Sequence, residues 1–157
     1  MSSRVWYMVV PLVLLAACAA TSPREPPPQD LKVEVTTFIE RYLKAIEARN
    51  ESAIRGSYVA DDRFAWIEEG RVRYRTSSEV IAGLATLPVG TPIRTELKDL
   101  TVARVGQTGA HAWASFATTI GSPPSGFTFG GAISMTLEKE GGAWRIVGGH
   151  SSSPTRR

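Results

Sequence analysis

Residues 127–152 read FTFGGAISMTLEKEGGAWRIVGGHSS and carry the clearest sign of the fold. The first half has the composition of a strand, the Gly-Gly pair in the middle marks a tight turn, and the second half returns as a strand. Trp144, Ile146 and His150 stand at even spacing in that second half. Because residues two apart point to the same side of a strand, the spacing predicts these three side chains on one face. The stretch therefore predicts the last hairpin of an antiparallel sheet.

A long strand is also predicted over residues 93–105. Its alternation of apolar and polar residues slips between Leu97 and Leu100. An extra residue in one strand produces such a slip, so we expect a β-bulge near Lys98-Asp99.

The strand predicted over residues 110–120 is rich in small residues, and its pattern does not show which face points towards the core. Trp113 and Ser115 fall on one side, whereas Ala112 and Ala114 fall on the other with Phe116. Small alanines would let the sheet approach a helix, which favours an outward Trp113 facing a dimer partner.

Helical patterns precede these strands. Residues 30–49 carry apolar side chains at steps of three and four, which predicts an amphipathic helix. Asn50 suits the end of that helix or the cap of a short second helix over residues 51–58. The apolar stripe of the first helix consists of Leu31, Val35, Phe38, Ile39, Tyr42, Leu43 and Ile46.

A short aromatic hairpin and a third helix complete the pattern. Residues 64–67 and 72–74 read as paired strands around the turn signal Glu69-Gly70. Thr76 and Glu79 have the spacing of a capping box at the start of a helix that ends before Pro88. Helices followed by a bent antiparallel sheet predict an α+β domain over residues 30–152, with a mobile tail at 153–157.

The amino terminus has the form of a leader. Residues 1–17 hold one arginine and a short apolar run, too short for a membrane span of about 20 residues. Leu15-Ala16-Ala17-Cys18 resembles the lipobox of bacterial lipoproteins, which implies lipidation of Cys18 after cleavage. The Pro-rich residues 18–29 would then be a tether. We expect a domain anchored to the cell membrane or outer membrane, in the periplasm or outside the cell. An ordinary secretory signal and an uncleaved anchor are the alternatives.

The composition of the chain argues against several classes of function. The chain of 157 residues has 18 basic and 15 acidic side chains. Removing the leader arginine and the last two arginines takes the net charge from +3 to 0, which argues against a nucleic-acid partner. One cysteine excludes an intramolecular disulfide and a paired-cysteine zinc site. The two histidines are 39 positions apart, so no metal site is predicted, and no cofactor either.

The order of elements and the ending Trp144–Ser152 resemble the SnoaL-like branch of the nuclear-transport-factor-2-like (NTF2-like) superfamily over residues 31–152. Asp61-Asp62 before the first hairpin strand matches as well. The resemblance implies a cone in which a curved sheet wraps the long helix and leaves a pocket at the wide end. It also implies frequent dimerisation through the sheet. Members include isomerases, cyclases, dehydratases and association domains, so the resemblance does not determine the activity.

Candidate site residues follow from this expected pocket. His150 and Asp62 are the catalytic candidates, because imidazole and carboxylate groups perform acid–base chemistry near neutral pH. A His150 that only bonds the hairpin backbone is the alternative. Glu68 and Glu69 fall at a hairpin tip, away from where a buried carboxylate base would be needed. The candidate ligand-binding residues are Trp66, Tyr74, Phe129, His150 and Tyr42.

The function predicted from these residues is non-catalytic binding of a small apolar molecule or of a partner protein, by a homodimeric envelope lipoprotein. An isomerase or lyase that uses the pocket histidine is the first alternative. A purely structural dimerisation module is the second.

Overall fold

The computed structural model describes residues 28–154 and places three helices around one six-stranded sheet. The predicted α+β class is confirmed. The predicted leader, Cys18, all but the last two residues of the tether and residues 155–157 lie outside the described residues. The elements are α1 (Pro28–Glu47), α2 (Glu51–Arg55), β1 (Ala65–Glu68), β2 (Arg71–Tyr74), α3 (Ser77–Ala85), β3 (Ile93–Val105), β4 (Gly109–Ile120), β5 (Phe127–Glu140) and β6 (Ala143–Ser152).

The sheet has the strand order β2-β1-β6-β5-β4-β3. The four long strands pair antiparallel with their neighbours, whereas β1 pairs parallel with β6. This parallel pairing attaches the short aromatic hairpin to the last strand and sets Trp66 opposite Gly149.

Helix α1 buries its apolar stripe against the concave face of the sheet. Val35 and Ile39 are completely or almost completely buried, and they belong to the same core as Met135 and Ile146 of the sheet. Helix α1 begins two residues earlier than predicted, at Pro28. Proline is tolerated in a first turn because the N–H group that it lacks would have no partner there.

Local polar contacts define the helix ends. The Asn50 side chain accepts a hydrogen bond from the backbone N–H of Ala53 at 3.0 Å and so caps α2. The Thr76 hydroxyl accepts from the backbone N–H of Glu79 at 3.2 Å, which is one half of the predicted capping box, whereas the Glu79 carboxylate accepts from the backbone N–H of Arg75 rather than from that of Thr76. Helix α2 is shorter than predicted, since it ends at Arg55. Among residues 28–154, no helix combines the length and the apolar character needed to cross a membrane.

Bulges in β3 and β6 set which side chains of these strands face the core. The predicted bulge in β3 is present, where the pairing with β4 shifts between Lys98 and Thr101. A second bulge, not predicted, lies in β6: Leu137 pairs with Ile146 and Thr136 with Gly148, so that Val147 is an extra residue. A bulge of one residue moves every following side chain to the other face.

Burial shows which face of β4 points towards the core, a question that the sequence pattern did not answer. Ala110, Ala112 and Ala114 are buried beneath the helices, whereas Trp113 points outward and is 43% exposed. The small alanine side chains therefore allow the close approach of the helical layer, as the composition of this strand suggested.

Candidate ligand cavity

A cavity of about 440 Å³ opens on the concave side of the sheet, between α1, α3 and the β1–β2 hairpin. Its sheet residues come from the strand ends far from the β5–β6 turn. Most of the wall is apolar. Its aliphatic members are Leu43, Ile46, Val80, Leu84, Leu87 and Ile133, and its aromatic members are Tyr42, Trp66, Tyr74, Phe116 and Phe129.

Four of the residues predicted to bind a ligand meet on this wall. They are Tyr42, Trp66, Tyr74 and Phe129. The Phe129 ring packs edge-on against Phe116 at a centroid distance of 6.0 Å and is itself 41% exposed. An apolar ring with this much free surface inside a concavity is available to contact a ligand.

The Trp66 ring occupies the space that a side chain at position 149 would need, and Gly149 has none. A Cβ atom at position 149 would overlap the six-membered ring of Trp66. The indole therefore lies directly on the backbone of β6, where it is buried. Gly149 thus supports a lining residue from behind, and sequence reasoning missed it because a glycine does not show which ring will cover it.

His150 does not line the cavity. It is exposed and lies in a cross-strand row with Ser134 and Trp113, on the outer face of the sheet. The bulge at Val147 is the physical reason, since it reverses the phase that Trp144 and Ile146 establish. His150 and Trp66 were expected to line the same cavity. Trp66 does line it, but the prediction is wrong for His150.

Asp62 is also outside the cavity. It is exposed in the turn before β1. Its neighbour Arg63 forms ion pairs with Asp61 at 2.8 Å and with Glu140 at 3.0 Å, at the end of the sheet that carries the β5–β6 turn. The two predicted catalytic groups are thus neither together nor at the cavity.

The lining residue Tyr42 belongs to a buried tyrosine pair. The hydroxyl groups of Tyr42 and Tyr58 are 2.6 Å apart and share a hydrogen bond. Burial is the main reason that the pKa of Tyr42 is raised to about 12, and it also raises the pKa of Tyr58 well above its usual value. Both groups are therefore neutral at physiological pH.

Glu68 is a lining residue that sequence reasoning placed elsewhere. It follows Trp66 by two positions in β1 and also lines the cavity. Partial burial raises the pKa of its carboxyl group, while the Arg73 charge and hydrogen bonding to Trp66 act in the opposite direction. The sequence did indicate this position, because Glu68 stands two residues after Trp66 and so faces the same side of β1. The expectation that Glu68 lies at the tip of the hairpin outweighed that indication.

The cavity offers little for holding a metal ion. In the part of the chain between residues 28 and 154, no three His, Cys, Asp or Glu side chains come close enough to share one. The polar chemistry of the wall thus rests on hydroxyl groups and on the carboxylates of Glu68 and Glu69.

Solved structures with the same architecture are numerous. An NTF2-like superfamily protein from Salmonella enterica serovar Typhimurium is 21% identical, with a TM-score of 0.69 over 82% of this chain and 94% of that one. An NTF2-like protein of unknown function from Pseudomonas putida is 22% identical, with a TM-score of 0.66 over 82% and 89% of the two chains. An NTF2-like protein with a cystatin-like fold from Novosphingobium aromaticivorans is 14% identical, with a TM-score of 0.66 over 82% and 85%. At these identities the likeness concerns the fold.

Sequence comparison identifies the family. No curated protein matches the chain significantly. The model of the SnoaL-like domain matches residues 35–156, which include the cavity wall and the whole sheet. The curved sheet, the helices before it and this match agree, and the chain belongs to the SnoaL-like domain family with an NTF2-like, cystatin-like fold.

Proposed function

We propose that this chain is a cell-envelope lipoprotein whose SnoaL-like domain binds a small apolar molecule without catalysing a reaction on it. The observation that carries the proposal is the cavity of about 440 Å³, which lies within the size range of small-molecule sites and has a mostly apolar and aromatic wall. The exposed side of the Phe129 ring supports the same interpretation.

The two rival functions have less support. An isomerase or lyase that uses His150 and Asp62 would need both groups at the cavity, and both lie elsewhere. A purely structural module would be expected to fill its cone with side chains, whereas here the space remains open. Binding therefore explains more of the geometry than either alternative.

Leu84→Trp tests the proposal, because Leu84 lies on α3 and faces the cavity. A larger side chain there should occupy the space meant for the ligand. Residues 19–157 contain every described helix and strand and suit the measurement. Native mass spectrometry of this domain purified from its host should show a co-purified small molecule, and Leu84→Trp should lose it.

The matched control is Ala82→Trp, since Ala82 lies on the exposed side of the same helix. This variant should keep the bound mass. Loss of the molecule from both variants, or a wild-type domain that carries none and binds no apolar compound, would contradict the proposal.

Anchoring depends on Cys18, which follows the small residues of the proposed lipobox. Replacing Cys18 by Ala removes the sulfur that would carry the lipid. Two or more acyl chains anchor stably, with about 0.8 kcal/mol for each buried CH₂ group, so we expect complete loss of the mature membrane-bound form. Labelled palmitate incorporation and membrane fractionation measure this. Continued labelling of Cys18→Ala would contradict the proposal, and Ala17→Ser, which keeps a small residue before the cysteine, controls for changes to the leader.

We also propose that two copies of the domain pair through the outer face of the sheet. The centre of that face holds Trp113, which is 43% exposed, among small or uncharged side chains of β4 and β5. Charged residues of β3, such as Arg94 and Glu96, lie at its rim. An exposed aromatic side chain in an uncharged centre with a charged rim is typical of protein interfaces.

Trp113→Arg should therefore dissociate the dimer. A two-fold interface doubles the effect of a substitution, so the two new charges oppose each other, and we expect the dimer Kd to rise by about thirtyfold or more. Light scattering at tens of micromolar measures the mass. Val89→Arg is the control, because Val89 is fully exposed in a loop away from this face. A wild-type monomer, or an unchanged dimer of Trp113→Arg, would refute the pairing.

A further inference from the structure

We propose that the ligand of this cavity is an amphipathic amine, whose apolar body packs among the aromatic side chains and whose protonated nitrogen binds the Glu68 carboxylate. This inference rests on the proposed binding function and adds the chemical class of the ligand.

The charges on the cavity wall are all of one sign. Glu68 and Glu69 line the cavity, whereas no Lys, Arg or His of the described residues does. A ligand with a carboxylate or phosphate would bring its negative charge towards these groups and would be repelled. A cationic group would be attracted, so the wall selects by charge as well as by apolar surface.

Several other polar groups of the wall already have partners. The hydroxyl groups of Thr95 and Thr118 bond each other at 2.9 Å, and Thr86 donates to the Gly83 carbonyl at 2.7 Å. The Glu69 carboxylate accepts from the backbone N–H of Ser153 at 2.6 Å. These groups are therefore less available to a ligand.

Glu68 retains acceptor capacity. Its nearest cation is Arg73, whose Nε lies 3.7 Å from the carboxylate, which is longer than a hydrogen bond. The Arg73 side chain is itself 61% exposed. A carboxylate has about four acceptor positions, so the Trp66 and Arg73 interactions leave room for a ligand N–H group.

The surroundings of Glu68 strengthen its preference for a cation. Partial burial removes water from the carboxylate, and a charged group that has lost water gains more from an opposite charge. The guanidinium of Arg73 already lies over the ring of Tyr74, 5.5 Å from its centre, so an aromatic ring of this wall already attracts a cation. The apolar wall and the carboxylate together match a molecule with an apolar body and one protonated amine.

Three compounds with one aromatic body test this inference: 1-naphthylmethylamine, 1-naphthalenemethanol and 1-naphthoate. Each is titrated into residues 19–157 at neutral pH by isothermal calorimetry. We expect the amine to bind about tenfold more tightly than the alcohol, and the carboxylate to bind least. Glu68→Gln keeps the shape and removes the charge, so it should weaken the amine about tenfold and leave the alcohol within about twofold.

Glu69→Gln is the matched control and should have a smaller effect on the amine, because its carboxylate is engaged by Ser153. Equal binding of all three compounds, or an amine preference that survives Glu68→Gln, would overturn the inference while alcohol binding still supports the cavity as a site. If none of the three binds, the proposed binding function fails, and the inference fails with it.

Discussion

Raising the pH from 10 to 12 should unfold this domain far more steeply than it unfolds a variant without the Tyr42–Tyr58 pair. The pKa of Tyr42 is about 12 in the folded protein because the hydroxyl is buried, whereas an unfolded tyrosine ionises near 10. Below pH 10 the group is neutral in both states and has no effect. Above pH 10 the unfolded state loses the proton first, so stability falls by up to about 1.4 kcal/mol per pH unit, or about 2.3 kcal/mol by pH 12. Tyr58 acts in the same direction, since its pKa is also raised.

Urea unfolding followed by circular dichroism at pH 8, 10 and 11 measures this effect. The matched variant is Tyr42→Phe/Tyr58→Phe, which removes both hydroxyl groups together. Either single substitution would leave one hydroxyl buried without its partner, at a cost of about 1–3 kcal/mol. The double variant should therefore be closer to wild type at pH 8 and flatter above pH 10. Equal slopes for wild type and the double variant would show that the pair does not govern alkaline stability.

Replacing Trp66 by Ala should cost about 3–5 kcal/mol of unfolding free energy, since the indole is 7% exposed and packs on the core. Gly149→Ala should cost about 1–3 kcal/mol, because its new methyl group would overlap the Trp66 ring. The two effects should not add. Once the ring is gone, the methyl group has space, and Gly149→Ala should become neutral or slightly stabilising in a strand.

A double-mutant cycle by urea unfolding measures this coupling. Gly148→Ala is a useful comparison, because the nearest atom to its added Cβ is the Ala65 carbonyl oxygen at 3.0 Å rather than the indole. Its cost should be the same with and without Trp66. Additive effects of Trp66→Ala and Gly149→Ala would mean that the glycine does not position the ring.

Much of the fold could be predicted from the sequence. The alternation over residues 93–105 showed both the strand and its bulge, because apolar side chains stand on both sides of the slip. Asn50 and Thr76 marked helix starts, because their side chains bond neighbouring backbone groups whatever the rest of the chain does. Such signals depend on residues close in sequence, which is why they could be interpreted without the structure.

The candidate site was predicted only in part. Four of the predicted ligand-binding residues do line one cavity, since large apolar rings pack on the concave side of a sheet. They are Tyr42, Trp66, Tyr74 and Phe129. Glu68 was discounted, because sequence alone placed it at an exposed turn. Its position beside the cavity follows from the parallel pairing of β1 with β6, which joins segments more than 80 residues apart.

The sequence by itself determined the order of elements, the buried stripe of α1, the alanine face of β4 and the absence of paired cysteines. Only the tertiary structure decided on which face His150 lies. The bulge at Val147 reverses the alternation of β6, but the next two residues, Gly148 and Gly149, have no side chains that could reveal the reversal. The reversal depends on the register with β5 and on the Trp66 ring that covers Gly149, and both are contacts between residues distant in the chain.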